Sequence, residues 1–281
     1  MSQISKLAGV CGWPIHHSLS PLLHNYWLRA AGIKGAYVHF AVRPDEAVRA
    51  FRSLKRTSIQ GVNVTLPLKS LAFEAADEVS EDAQKLGVAN CLYKRGDKLV
   101  AHNTDMEGFV APLLGQVPPQ ELETAKILII GAGGAAKAVI GALLTLGVPE
   151  ICVINRTDSR AVDLVAQAEL PNLYSTPWDE RQAAVSTASI IINASAAGMK
   201  GKAALDINLA DAPKNSFIYD LIYTPLATPL LRQARYHGLK NLGGLEMLIA
   251  QARPSFKYFY GSLPPADADP RPLLTKALRA G

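Results

Sequence analysis

The chain has 281 residues, 49% of them hydrophobic and 19% charged, which is a globular composition and not a disordered one. That length exceeds one ordinary core and points to about two domains. The formal net charge of +5 invites nucleic acid, a membrane surface or small anions as partners.

In chain order, Ser20-Pro21 opens a helix through Ala31, with serine as its cap and proline at the first helical position. Tyr37–Val42 reads as a short strand, Asp45–Leu54 as a helix, and Gly61–Thr65 as a strand stopped by Pro67. Phe73–Lys85 reads as another helix. Asn90–Tyr93 and Leu99–His102 pair as a hairpin around Gly96. Gly115–Glu123, with Pro118-Pro119, is a connector. Lys126–Ile130 is a buried strand, followed by Gly131-Ala132-Gly133-Gly134-Ala135-Ala136 and a helix to Leu146. Ile151–Ile154 is the next strand, so the unit is β-α-β and its strands are parallel. Ile190–Asn193 and Phe217–Asp220 extend the pattern. Pro264–Pro270 is a loop before a last short helix. The fold class is α/β in two domains, the second doubly wound.

Several partners and cofactors drop out. Cys11, Cys91 and Cys152 stand far apart, with no C-x-x-C and no nearby histidine pair, so neither a zinc site nor a disulfide framework is expected. They read as buried thiols. No apolar run approaches the ~18 residues of a membrane span. Met1–Lys6 lacks a basic segment followed by an apolar one, so no signal peptide is expected and the cytoplasm is the expected compartment. From Leu230 onward eight Lys/Arg face three acids, an excess equal to the whole net charge. No basic run carries interleaved aromatics, so nucleic acid is not an expected partner.

Gly131-x-Gly133-x-x-Ala136 follows a strand, opens a helix and sits in a βαβ unit, the context of a dinucleotide-binding turn. Its glycines let a pyrophosphate approach the helix N-terminus. The next strand ends in Asn155-Arg156-Thr157, with Arg160 beyond, where NAD readers carry Asp or Glu. A carboxylate repels a 2′-phosphate and a guanidinium attracts it, so NADP is favoured over NAD. The plainer alternative is that Arg156 and Arg160 are solvated charges. Ser18 and Ser20 precede a helix, where hydroxyls and free N–H groups grip a carboxylate; Ser20 reads equally well as an N-cap. Lys69, two residues beyond Pro67, reads alone as a solvated loop lysine. Asp105, after a strand, reads alone as a helix cap.

Together these pieces resemble the shikimate dehydrogenase family over nearly the whole chain. The resemblance rests on Gly12–Asn25, Gly61–Lys69, Asn103–Gly108, Gly131–Ala136, Asn155–Thr157, Asp220–Pro225 with Thr228–Leu231, and Gly243–Ala252. It implies that Ser18 and Ser20 bind the substrate carboxylate. Asn63, Thr65, Asn90, Tyr223 and Gln251 hold ring hydroxyls or orient the site. Lys69 and Asp105 also touch substrate and form the catalytic pair. Gly131, Ala132, Gly133, Gly134, Ala135, Asn155, Arg156, Thr157, Arg160, Ala194 and Ser195 meet the cofactor. Leu221 and Gly244 lie near the nicotinamide, and Glu81 falls where some members touch the cofactor. The implied domains are 1–105 for substrate, 106–240 as a Rossmann domain for NADP, and 241–281 as helices returning to the first.

The implied activity is reversible NADPH-dependent reduction of 3-dehydroshikimate to shikimate, by a monomer or homodimer. The alternatives are a quinate or dual quinate/shikimate dehydrogenase, and a non-catalytic metabolite sensor on the same fold. Three departures stand out. Ala89-Asn90-Cys91 replaces the commoner Val-Asn-Thr, Asn193-Ala194-Ser195 the commoner Asn-Ala-Thr, and Trp13 an asparagine beside Pro14.

Overall fold

A computed structural model describes residues 6–280. Residues 1–5, on which part of the leader expectation rests, and residue 281 lie outside the described residues. The chain divides into two compact units, one of residues 1–108 and 249–281, the other of 109–248. No helix among the described residues is long and apolar enough to cross a membrane, and no group of His, Cys, Asp and Glu among them could hold a metal.

The first unit runs β1 (Lys6–Gly12), α1 (Ser20–Ala30), β2 (Gly35–Ala41), α2 (Ala47–Ser53), β3 (Ile59–Val64), α3 (Lys69–Ala75), β4 (Glu78–Val79), α4 (Glu81–Leu86), β5 (Cys91–Arg95), β6 (Lys98–His102) and the start of α5 (Asp105–Leu114). Its sheet has the order β2-β1-β3-β5-β6-β4. β1 pairs parallel with β2 and β3, and β5 is antiparallel to both β3 and β6. The chain leaves β1, β3 and β6 at one edge of the sheet and enters β5 from that same edge. The segments after Gly12, Val64 and His102, and the residue before Cys91, therefore gather there, where open α/β sheets bind ligands.

One expected helix breaks and one expected cap moves. Phe73–Lys85 breaks, because Asp77 and Ser80 turn toward β6. Asp77 N–H donates to Leu99 O at 2.8 Å, Leu99 N–H donates to the Asp77 carboxylate at 2.8 Å, and Ser80 N–H donates to Ala101 O at 2.9 Å. The short edge strand β4 results, and Ser80 caps α4 by accepting from Ala83 N–H at 3.3 Å. Ser20 is not the N-cap of α1. It is the first helical residue, Leu19 holds the cap position without a side-chain bond, and Ser18 Oγ accepts from Ser20 N–H at 3.3 Å. Lys69 opens α3 and is no loop residue, and Asp105 opens α5.

The second unit continues through α6 (Pro119–Leu122), β7 (Lys126–Ile130), α7 (Gly134–Thr145), β8 (Glu150–Ile154), α8 (Asp158–Ala168), β9 (Leu173–Ser175), α9 (Arg181–Thr187), β10 (Ile190–Asn193), β11 (Phe217–Asp220), α10 (Pro229–Tyr236) and β12 (Lys240–Gly243). All its strand pairs are parallel, in the order β12-β11-β10-β7-β8-β9. Counted from β7, this is the dinucleotide-binding order, with its switch point between β7 and β10. The central strands bury both faces, which is why they read as unbroken apolar runs. β12 pairs with β11, so this unit continues past residue 240. The chain returns to the first unit within α11 (Leu245–Tyr260) and ends in α12 (Arg271–Ala280).

Candidate active site

In the first unit, the gathered edge of the sheet carries a connected set of polar side chains. Lys69 Nζ meets Asp105 Oδ2 at 2.5 Å, with side-chain exposures of 14% and 9%. A pair so poorly hydrated holds together only if its remaining lone pairs are satisfied. Asn90 does this: its Nδ2 donates to Asp105 Oδ1 at 2.7 Å and to Thr104 Oγ1 at 3.0 Å. Its Oδ1 accepts from Thr104 N–H at 2.7 Å, so one amide fixes both the carboxylate and the turn that presents it. Asn103 Oδ1 accepts from Asp105 N–H at 3.0 Å, and its Nδ2 donates to Val88 O at 3.1 Å.

Asn63 braces Asn90 from β3. Its Nδ2 donates to Asn90 O at 3.2 Å and to Ser255 Oγ at 2.7 Å, while its Oδ1 accepts from the Tyr37 hydroxyl at 2.7 Å. Both amide hydrogens of Asn63 are thereby used inside the protein. Gln251 reaches the same cluster from α11, where its Oε1 accepts from Thr104 Oγ1 at 3.4 Å. A Cβ on Gly108 would collide with the Gln251 side chain, so only glycine lets α5 and α11 approach this closely. Thr65 ties the β3 exit to β1 through its N–H to Cys11 O at 2.9 Å. Ser18 and Ser20 lie after β1 at this edge, with their hydroxyls 3.2 Å apart.

In the second unit, the turn between β7 and α7 fits a dinucleotide. Gly131 has φ +117, and a Cβ there would sit 3.0 Å from the backbone of Ala194 and Ser195, whereas a Cβ on Gly133 would meet nothing within 4 Å. One glycine packs the turn against the exit of β10, and the other leaves an open face at the N-terminus of α7. Gly131 also lines a cleft of about 480 Å³ with Asn155, Arg156, Thr157, Arg160 and Ser195. Among the described residues, Arg156 and Arg160 form no side-chain bond.

Behind this cleft lies the fully buried carboxylate of Asp220. It accepts from Thr228 Oγ1 at 2.6 Å, Asn193 Nδ2 at 3.0 Å and Ile222 N–H at 3.1 Å. Asn193 Oδ1 in turn accepts from Ser195 N–H and Oγ, so one acid ties together the loops after β10 and β11. Burial pushes the Asp220 carboxyl from 3.8 to about 6, against the three hydrogen bonds. The native state then holds this proton more tightly than the unfolded chain, so stability falls as pH rises through that window. The shift corresponds to about 3 kcal/mol. Unfolding free energies of wild type and Asp220→Asn should therefore converge or cross by about that amount between about pH 4 and about pH 6.5. A difference that ignores pH over this range would contradict the buried, ionising carboxylate.

Residues 10–92 match the family model described as the shikimate dehydrogenase substrate binding domain, and 114–221 match the model described as shikimate / quinate 5-dehydrogenase. A relative from Brucella abortus, named shikimate dehydrogenase (NADP(+)), is 40% identical over 277 residues, which cover 98% of this chain and 92% of that protein. The chain belongs to the shikimate dehydrogenase family. Solved shikimate dehydrogenases agree in fold. That of Aquifex aeolicus superposes with a TM-score of 0.87 at 33% identity, covering 97% of this chain and 99% of that one. That of Thermus thermophilus, solved with NADP(H) and shikimate, gives 0.84 at 32% identity, covering 98% and 99%.

The residues that the shikimate dehydrogenase resemblance singled out divide between the units. Ser18, Ser20, Asn63, Thr65, Lys69, Asn90, Asp105 and Gln251 fall in the first. Gly131–Ala135, Asn155, Arg156, Thr157, Arg160, Ala194, Ser195, Leu221, Tyr223 and Gly244 fall in the second. Gly244 packs on the Leu221 carbonyl so closely that a Cβ would overlap it. Glu81 is the exception among the cofactor candidates. It lies in the first unit on the exposed first turn of α4, 2.7 Å from Lys85 Nζ. Four members of the polar cluster were given no role by the sequence reading: Asn103 and Thr104, which stood only within a motif, and Ser255 and Tyr37. Ser255 lies four residues after Gln251 on α11, the spacing of one helix face, and that signal was available.

Proposed function

We propose that this chain interconverts 3-dehydroshikimate and shikimate with NADP(H), a step in aromatic amino acid biosynthesis. The observation that carries the reading is the 2.5 Å Lys69–Asp105 pair, braced by Asn90 at the ligand-binding edge of its sheet. Bound NADPH supplies the hydride that reaches the ring carbonyl carbon. As the carbonyl π pair moves onto oxygen, Lys69 Nζ gives that oxygen a proton and keeps the N–H electron pair. Asp105 holds Lys69 in place, and Asn90 holds Asp105. In the reverse direction Lys69 Nζ takes the hydroxyl proton. Ser18 and Ser20 grip the ring carboxylate, and Asn63, Thr65, Asn90, Tyr223 and Gln251 orient the hydroxyls or the groups that meet them.

The cofactor is held by the Gly131–Ala135 turn, by Asn155, Thr157, Ala194 and Ser195, and near its nicotinamide by Leu221 and Gly244. Arg156 and Arg160 face the 2′-phosphate. Charge-assisted hydrogen bonds contribute about 1.5–3 kcal/mol, so Arg156→Ala should weaken NADPH by roughly 10- to 150-fold and leave NADH nearly unchanged. Titration calorimetry with both nucleotides measures this, and equal losses would sink the assignment.

The intact Lys69–Asp105 pair argues against a non-catalytic sensor. Three buried, unpaired cysteines suit a reducing compartment, and we place the reaction in the cytoplasm, carried out by a monomer or homodimer. Purified protein given shikimate and NADP should form 3-dehydroshikimate in step with reduced nicotinamide. No turnover of shikimate would overturn the reading.

A further inference from the structure

We infer that Lys202 is a third cation for the cofactor's 2′-phosphate, presented from the wall of the cleft opposite Arg156 and Arg160. This rests on the NADP reading above. The cleft has two walls. One is the exit of β8 and the first turn of α8, carrying Asn155, Arg156, Thr157 and Arg160. The other is the irregular segment after β10, carrying Ser195–Ala197 and Lys202–Asp206.

That second wall is not a loose loop. Leu205, Ile207 and Leu209 alternate into the core, with exposures of 7%, 5% and 1%. Gly198 N–H donates to Ala203 O at 2.7 Å, and Lys202 N–H donates to Met199 O at 2.9 Å, so the backbone on both sides of Lys202 is fixed. Gln182 Nε2 and Arg181 Nε clamp the segment further on, through Asn208 O at 2.6 Å and Asp206 O at 2.9 Å.

The charges of the cleft then decide what it attracts. Asp206 is its one acidic lining residue, and its carboxylate is ion-paired to Arg181 at 2.6 Å. Asp158, next to the cleft, accepts from Trp178 N–H at 2.8 Å. Among the described residues, Arg156, Arg160 and Lys202 form no side-chain bond, so the cleft presents three unpaired cations and no free anion. Two walls of one sign repel each other unless a dianion lies between them, and a phosphate monoester is such a group. An exposed lysine on a fixed backbone can reach it as a compact charge, without the bidentate geometry that arginine needs.

The test uses the full-length protein and reads binding, not turnover. Affinities of adenosine 2′-phosphate, NADPH and NADH are measured by calorimetry, with Trp178 emission as a second signal because this residue lines the cleft. Lys202→Ala should weaken adenosine 2′-phosphate and NADPH by about three- to tenfold, and Lys202→Glu by more, with NADH unchanged in both. The salt dependence of NADPH binding should become shallower in Lys202→Ala. Lys214→Ala, on the same irregular segment but outside the cleft lining, should leave all three affinities unchanged. If Lys202→Ala and Lys202→Glu bind NADPH as wild type does, or if Lys214→Ala loses as much as Lys202→Ala, the inference is wrong while the NADP reading stands. If wild type itself shows no preference for NADPH over NADH, the NADP reading fails and the role of Lys202 fails with it.

Discussion

Lys69→Ala should lower kcat by about 10²–10⁴-fold while KM changes by far less. In the proposed mechanism the lysine stabilises and protonates the developing oxyanion, an interaction made in the transition state and hardly at all with the ground-state ketone. Its loss also leaves the 9%-exposed Asp105 side chain without its cation, so some destabilisation accompanies the alanine variant. Lys69→Arg separates the two effects. Arginine keeps the charge beside Asp105 but does not release its proton, so the fold and substrate binding should survive while kcat stays low. Steady-state kinetics on both variants, with unfolding curves alongside, is the measurement. Turnover near wild type in either one would remove Lys69 from the proton step.

The second large effect lies one ring behind the polar cluster. His24 is fully buried, stacked on Tyr37 with ring centroids 4.0 Å apart and surrounded by Trp27, Phe256 and Phe259. Among the described residues, neither of its ring nitrogens has a hydrogen-bond partner. Burial pushes its imidazole from 6.5 down to about 3. The native state refuses a proton that the unfolded chain accepts. The stability this represents is fully present above pH 6.5 and is lost as pH falls toward 3. In full it amounts to about 5 kcal/mol, of which about 3 kcal/mol falls between pH 7 and pH 4. His24→Phe places an apolar ring among aromatic neighbours and removes the titration. The variant should match or exceed wild type at neutral pH and resist acid better. Denaturant unfolding of both proteins at about pH 7 and about pH 4 tests this, and parallel losses in the two would contradict it. Over the same range Asp220 works in the opposite direction, so wild-type stability alone would hide either effect.

The parts of the fold visible in the sequence were those whose causes are local. Lys126–Ile154 announced itself because a doubly buried strand is an unbroken apolar run and the turn beyond it needs Gly131. Phe73–Lys85 misled because the forces that break it come from Leu99 and Ala101, some twenty residues on. Ser20 looked like a cap because serine commonly is one, yet Ser18 takes its N–H. The wall that carries Lys202 was not read from the sequence, since Leu205, Ile207 and Leu209 alternate like a strand but join neither sheet, and their backbone is held by side chains of Gln182 and Gln233. At the site, residue types and order were legible, and the bracing was not. That Asn90 joins Asp105 to Thr104, and that Asn63 spends its amide on Asn90 and Ser255, follows from strand register, which sequence spacing does not contain.

Quinate carries a tertiary hydroxyl beside the carboxylate that shikimate lacks, so substrate choice reports on the groups proposed to grip that carboxylate, Ser18 and Ser20. The most direct test of the whole account is kcat/KM on the wild-type protein for shikimate and for quinate, each with NADP and with NAD. Shikimate with NADP should exceed shikimate with NAD by at least about tenfold, the loss expected when one good charge-assisted contact is missing, and should exceed quinate with either nucleotide. Equal or higher kcat/KM for quinate, or for NAD, would contradict the account.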